Sequence, residues 1–327
     1  MDVQVAYLGP VASYTHQATK SVFTEQEWQL APKHEIKDVF TAVLEGTAVY
    51  GVVPFENSSF GTVKMTLDEL ADRAGRHRAA GVIICGEIYL EVHHCLLGRG
   101  KAPDRRTVVP AATSDEPAVP LTSLAHVRHV YSHPQALGQT RRFRDAYLAG
   151  AATEAVSSTS RAAELVAADA SGTSAAVAGA AAAAEHGLDV LARHIEDQTD
   201  NMTWFLVLRR GLPAEEGEAG PPLPPGLLVS GPATGGHKSL VSFTVPHATP
   251  GSLAGVLQSF GKHGLNMTNI TRVPSLARPF DSLFLVEFEG SKLQDPEGRV
   301  AGALGAVAKS AQQWRWWGSW ADRKPSL

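Results

Sequence analysis

The chain has 327 residues, 44% hydrophobic and 19% charged, enough for two or three compact units with real cores. Its net charge of −4 and pI near 6.4 give no electrostatic reason to expect nucleic acid or an anionic membrane as partner. No uncharged apolar run reaches the length of about 18 residues that suggests a membrane span. Cys85 and Cys95 form no Cys-x-x-Cys and no metal-ligand spacing. The amino terminus lacks the basic-then-apolar pattern of a leader, and a reduced cytoplasmic setting is expected.

Strand-like and helix-like segments alternate from the start, which argues for an α/β fold. Residues 3–8 read as a buried strand broken by Gly9-Pro10, and 15–23 as a helix. Asp38 is placed to cap a helix over 39–45, with Gly46 at its stop. A strand over 50–55, a helix over 66–73 and two extended segments within 81–97 follow. The stretch 101–123 is rich in Pro, Ala, Ser and Thr and reads as a surface excursion. Beyond it come strand 127–131, helix 133–147, strand 153–156, helix 160–168, strand 174–177 and helix 180–186 closed by Gly187. Extended segments over 188–195 and 203–208 complete residues 1–210, expected as two α/β lobes around a cleft. Pro and Gly crowd 211–238, which reads as a linker. Residues 239–327 then follow the order β-α-β-β-α-β, the ferredoxin-like plan.

Four segments put polar groups at predicted strand ends, where open α/β sheets bind ligands. In Tyr7-Leu8-Gly9-Pro10-Val11-Ala12-Ser13-Tyr14-Thr15-His16, hydroxyls and free amides meet a helix start. That suits an anion and equally an ordinary N-cap. Gly51-Val52-Val53-Pro54-Phe55-Glu56-Asn57-Ser58 ends an apolar strand in a carboxylate, an amide and a hydroxyl. In Tyr131-Ser132-His133-Pro134-Gln135, Ser132 suits a helix cap, Pro134 the first turn, and Gln135 a cleft-facing position; His133 reads as structural. Asp200-Asn201-Met202-Thr203 leads a polar turn into a strand, with Thr203 at its edge. His93-His94 beside Cys95 reads as no metal site, because consecutive strand residues point to opposite faces. The glycines between 231 and 236 lack the Lys-Ser/Thr ending of a phosphate loop.

In order and approximate spacing these four segments resemble the motifs of the prephenate dehydratase family. The resemblance runs from about Tyr7 to Leu208. It continues where Pro250-Gly251-Ser252-Leu253 and Gly264-Leu265-Asn266-Met267-Thr268 look like an ACT regulatory domain. The ending Trp314-Arg315-Trp316-Trp317-Gly318-Ser319-Trp320 is similar to that of fungal-type members. The resemblance implies a lyase of phenylalanine biosynthesis that turns prephenate into phenylpyruvate with loss of CO2 and water, using no metal and no organic cofactor. By motif position Thr203 would supply the proton, with Glu56 and Asn57 catalytic beside it. Ser13 and Thr15 would hold a carboxylate, and Ser58, Ser132, Gln135, Trp204 and Phe205 would line the substrate pocket. Phenylalanine would act as effector through Gly251, Leu253 and Asn266, and a homodimer or tetramer is implied.

Two positions depart from the family pattern. Thr203-Trp204-Phe205 stands where the resemblance implies Thr-Arg-Phe, and an indole offers one donor and no charge to a carboxylate. Thr271-Arg272-Val273-Pro274 stands where Glu-Ser-Arg-Pro is implied, with its arginine displaced by one. These departures keep two other readings open: a prephenate-binding relative that decarboxylates without aromatising, and a non-catalytic binding protein.

Overall fold

The computed structural model describes residues 4–71, 81–100, 117–211, 223–227, 236–246, 248–275 and 280–325. The chain begins β1 (Gln4–Leu8), α1 (Tyr14–Lys20), β2 (Gln29–Lys33), α2 (Ile36–Leu44), β3 (Tyr50–Asn57), β4 (Gly61–Thr62), α3 (Lys64–Leu70) and β5 (Val82–Glu91). A second lobe holds β6 (Cys95–Gly98), β7 (His129–Ser132), α4 (Pro134–Gly138), α5 (Arg141–Tyr147), β8 (Ala152–Ala155), α6 (Thr159–Ala168), β9 (Ser174–Ala178), α7 (Ala180–His186) and β10 (Asp189–Ala192). The chain returns to the first lobe as β11 (Met202–Arg210). It ends in β12 (His237–Thr244), α8 (Ser252–Lys262), β13 (Met267–Pro274), β14 (Ser282–Glu289), α9 (Arg299–Ser310) and β15 (Gln313–Ala321).

The three sheets run β2-β1-β3-β11-β5 with β4 beside β3, β10-β6-β9-β7-β8, and β13-β14-β12-β15. The first two are the expected pair of α/β lobes. Only residues 92–94 and 193–201 pass between them among the described residues, as two crossovers. The third sheet, with α8 and α9, has the ferredoxin-like order.

Local differences from the sequence have physical causes. β2 was not expected, since its Gln-Leu-Ala-Pro-Lys stretch contains Pro32; it is an edge strand, where a missing N–H is tolerated. Asp38 does not cap α2. Glu35 is the N-cap, and Asp38 takes the third helical position of a capping box, accepting from the Glu35 N–H at 3.1 Å. The single helix expected over 133–147 is two, because the Asp197 carboxylate accepts from the Arg141 and Arg142 N–H groups at 3.1 and 3.0 Å and caps a new start. β12 begins at His237, inside the expected linker. Leu227, also within that stretch, is buried in the first lobe's core against Gly86. Most of the 101–123 excursion lies outside the described residues.

The C-terminal sheet packs on one face of the first sheet. Leu240, Leu285, Trp317 and Trp320 share a core with Val53, Phe55, Leu206 and Ile84. Gly318, at φ 144°, permits this approach, because a Cβ there would collide with the Ile84 carbonyl. The seam contains a buried charge. Lys238 Nζ lies 3.1 Å from Glu87 Oε2, 3.1 Å from Asp322 Oδ1 and 4.0 Å from Glu287 Oε2. It also lies 5.0 Å from the centre of the Trp204 ring. Burial pulls the ammonium down, but Glu87 and Glu287 outweigh it and raise it overall. Burial raises both glutamates despite Lys238.

Lys238→Met is expected to cost about 3–5 kcal/mol at neutral pH, the scale of a buried pair broken from one side. Carboxyls with raised folded values stabilise fully below the ordinary glutamate value and lose that contribution as pH rises through the raised one. Thermal melts of parent and variant should therefore diverge further at pH 8 than at pH 5, and a deficit that shrinks with rising pH contradicts the assignment.

Candidate active site

Thr203 sits at the start of β11, opposite Asn57 on β3 and Leu90 on β5. Asn57 Nδ2 lies 3.0 Å from Thr203 Oγ1, 2.8 Å from Asn201 Oδ1 and 3.2 Å from the Met202 carbonyl. Its Oδ1 accepts from the Ser59 and Phe60 N–H groups at 3.0 and 3.2 Å. The amide thus fixes both its own turn and the start of β11. Because Asn57 donates to Thr203 Oγ1, the threonine's own hydrogen is left for another acceptor. Ser58 Oγ accepts from the Met202 N–H at 3.0 Å and tightens the same junction. Asn201 is buried in this cluster, and its Nδ2 has no hydrogen-bond partner among the described residues. The sequence contains Asn201 within its fourth motif but does not single it out, since nothing local reveals where its amide points.

A β-bulge decides which residues join Thr203. Trp204 pairs with Glu56 and Phe205 with Pro54, so Phe55 and Glu56 together oppose one residue of β11. A bulge interrupts strict alternation. Phe55 packs against Trp204 at 4.6 Å between ring centres, in the core shared with the C-terminal sheet. Tyr89, paired with Trp204 and stacked on it, lies on this face too, and burial first, then the charges of Glu87, Glu287, Asp322 and Glu56, push its hydroxyl up. Glu56 and Trp204 therefore turn toward the C-terminal unit, whereas Asn57 and Thr203 share the opposite face. Trp204, expected at the substrate pocket, thus packs at the core shared with the C-terminal sheet, and Glu56, expected to be catalytic, is its cross-strand partner. The cation facing Trp204 is Lys238.

Other expected site residues serve the local fold. Ser13 caps α1, its Oγ accepting from the His16 N–H at 3.2 Å and donating to the Leu8 carbonyl at 3.3 Å. Thr15 is buried in the first turn. His16 Nδ1 accepts from the Ala12 N–H at 3.0 Å, and burial lowers its pKa, so the ring is neutral as that bond requires. Ser132 is fully buried and donates to the Val177 carbonyl at 2.6 Å, so it does not line a pocket. His133, not Ser132, caps α4, with Nδ1 accepting from the Gln135 N–H at 3.3 Å. Gln135 is exposed on the second lobe. Phe205 is buried with Tyr7, Val52 and Ile88 in the core beneath the strand, which corrects its placement in the pocket.

The lobes are joined near the cleft by a polar relay. Tyr14 Oη lies 2.9 Å from the His93 carbonyl and 2.8 Å from His94 Nδ1, and His94 Nε2 lies 2.7 Å from Gln139 Oε1. Burial lowers the His94 pKa. Tyr14 has one hydroxyl hydrogen for two neighbours, the His93 carbonyl and His94 Nδ1, so the His94 tautomer is set by which of them receives it.

The three expected effector residues do not converge within one chain. Gly251, at φ 79°, caps α8, and Leu253 packs against the core of its unit. Asn266 Nδ2 donates to Glu289 Oε1 at 3.0 Å. Glu289 pairs with Lys238 near the start of β12, whereas Gly251 follows the end of that strand. Asn266 thus lies near the start of β12, whereas Gly251 follows its other end, and Lys238 and Thr244 are roughly 20 Å apart at the strand rise.

Comparison with known proteins agrees with this architecture. Residues 5–212 match the family model described as prephenate dehydratase. A bifunctional chorismate mutase/prephenate dehydratase of Aquifex aeolicus is 34% identical over 310 residues, covering 95% of this chain and 71% of that protein. A prephenate dehydratase of Amycolatopsis methanolica is 30% identical, covering 97% and 88%. The structure of prephenate dehydratase from Arthrobacter aurescens in complex with L-Phe superposes with a TM-score of 0.77 at 25% identity, covering 99% of this chain and 92% of the other. On the family match and the extent of these alignments, the chain belongs to the prephenate dehydratase family.

Proposed function

We propose that Thr203, held by Asn57, is the proton donor of the chain's dehydratase reaction, the conversion of prephenate to phenylpyruvate on the way to phenylalanine. The 3.0 Å contact from Asn57 Nδ2 to Thr203 Oγ1 carries this reading. In the reaction the bond to the ring carboxylate breaks and its electron pair enters the ring. The ring hydroxyl leaves, takes a proton and becomes water, and an aromatic ring results. A threonine hydroxyl is a weak acid, so it contributes only when its developing negative charge is stabilised. An amide N–H already directed at the oxygen does this without reorganisation. Thr203 then recovers its proton from solvent.

The backbone of the first turn of α1 and the exposed amide of Gln135 on the second lobe are the neutral groups we assign to the substrate carboxylates. Trp204 stands apart from this chemistry, because its side chain belongs to the seam with the C-terminal unit. Its replacement of an arginine is therefore compatible with a working enzyme.

We read the ferredoxin-like unit as an ACT domain that takes phenylalanine as effector. The likeness to the Arthrobacter structure holding L-Phe supports this. Because Gly251 and Asn266 lie apart in one chain, we place the effector between copies of a homodimer. The two free, buried thiols suit a reducing cytoplasm. Among the described residues no helix is long and apolar enough to cross a membrane.

Thr203→Val keeps the shape of the side chain and is expected to lower kcat by about 10²–10⁴, the range supplied by a positioned acid, while the melting temperature changes little. Formation of phenylpyruvate from prephenate measures this, and unchanged kcat removes Thr203 from the role. Trp204→Arg, assayed alongside, is expected to give no gain in kcat/KM. A clear gain would mean that position 204 reaches the substrate. A decarboxylated product other than phenylpyruvate from the parent chain, detected by mass spectrometry, would overturn the reaction itself.

A further inference from the structure

The two crossovers between the lobes meet at a cluster that the dehydratase reaction does not use. One crossover contributes His93, and the other His194 and Glu196. A nitrogen from each imidazole and an oxygen of Glu196 all lie within 4.8 Å of one another. His93 Nδ1 is 2.8 Å and His194 Nδ1 is 3.5 Å from the same oxygen, Glu196 Oε1. Ligand atoms around a tetrahedral zinc, with bonds of about 2.0–2.1 Å, stand roughly 3.3 Å apart. The two separations to Glu196 lie on either side of that value, and the two imidazole nitrogens lie within 4.8 Å of each other.

The surroundings are those of a built site. The Glu196 side chain is 1% exposed, and its second oxygen accepts from the His94 N–H at 2.8 Å, which fixes the carboxylate. Behind His93, Nε2 lies 3.2 Å from Glu91 Oε2. A carboxylate behind an imidazole orients the ring and strengthens it as a ligand. His194 is held at φ 50°, in the left-handed region that a histidine seldom adopts, and its ring meets that of His93 edge to face at 4.6 Å. His93 and His194 are 36% and 53% exposed, so the side away from Glu196 is open to solvent and to an entering ion. One divalent cation can take a nitrogen of each ring and the carboxylate oxygen together.

We propose that His93, His194 and Glu196 bind a divalent transition cation of the zinc type, which ties the two interlobe crossovers together. Two imidazoles and one carboxylate favour zinc, cobalt or nickel over magnesium or calcium, which take oxygen ligands. The second crossover continues directly into Asn201 and Thr203, so a cation here stiffens the segment that presents the catalytic hydroxyl. It is a brace at the hinge and takes no part in bond breaking.

The test is titration of the full chain, stripped with a chelator, with Co2+ and then Zn2+. The expected result is one equivalent of Co2+ giving tetrahedral ligand-field absorption, displaced by Zn2+, together with a rise in melting temperature. His194→Ala changes an exposed side chain and should abolish the absorption. Glu91→Gln, which removes the carboxylate behind His93, should weaken binding about 10–100-fold. Circular dichroism confirms that each variant is folded. If the parent gives no Co2+ absorption, or if the parent and both folded variants bind Co2+ alike, the proposal is overturned and the cluster is an ion pair only.

Discussion

One strand constrains most of this molecule. β11 lies between β3 and β5 in an antiparallel ladder, and its side chains alternate between two environments. Thr203 faces Asn57, whereas Trp204 faces the C-terminal sheet. Neighbouring positions in sequence thus belong to different functions. Whatever moves β11 along its axis or twists it acts on both faces at once, because the ladder bonds fix its register on either side.

The seam with the ferredoxin-like unit is mostly apolar, but its polar part is concentrated at Lys238. That ammonium is buried among Glu87, Glu287 and Asp322 and lies over Trp204. A buried ion pair is weak evidence for net stability, since desolvation offsets much of the attraction. It is stronger evidence for specificity of docking, because any other arrangement leaves charges unpaired. Lys238 and Glu287 belong to the C-terminal unit, and Glu87 and Trp204 to the first sheet. A shift of β12 or β14 is therefore felt within one residue of Thr203.

The crossovers impose a second constraint. The Thr203 hydroxyl belongs to the first lobe and Gln135 to the second, so their relation depends on residues 92–94 and 193–201. Polar contacts concentrate there. His94 bridges Tyr14 and Gln139, Glu196 binds the first crossover from the second, and Asp197 caps α5. Each contact joins segments far apart in sequence, and several involve buried groups, where a satisfied network is rigid and a broken one costly.

The sequence by itself determined the α/β alternation, the ferredoxin-like order of the last unit and the ordered motifs that identify the family. These depend on local pattern: apolar period, turn formers, and polar groups at strand ends. Asn57, Ser58 and Thr203 stand out in the sequence for the same reason, because each lies in a motif at a strand end, and the structure brings the three to one junction. Tertiary structure decided what local pattern does not encode. The bulge at Phe55 and Glu56 put Asn57, and not Glu56, on the face of Thr203, and it depends on the register against β11. Trp204 stands at the motif position where the family resemblance implies a carboxylate-binding arginine, and only the tertiary structure shows its ring packed against Phe55 and Tyr89 at the seam. Ser132 and Phe205 went to the core because partners distant in sequence bury them. His93 lacked any visible partner because Glu196 lies 103 residues away, brought back only by the return of the chain through the second crossover.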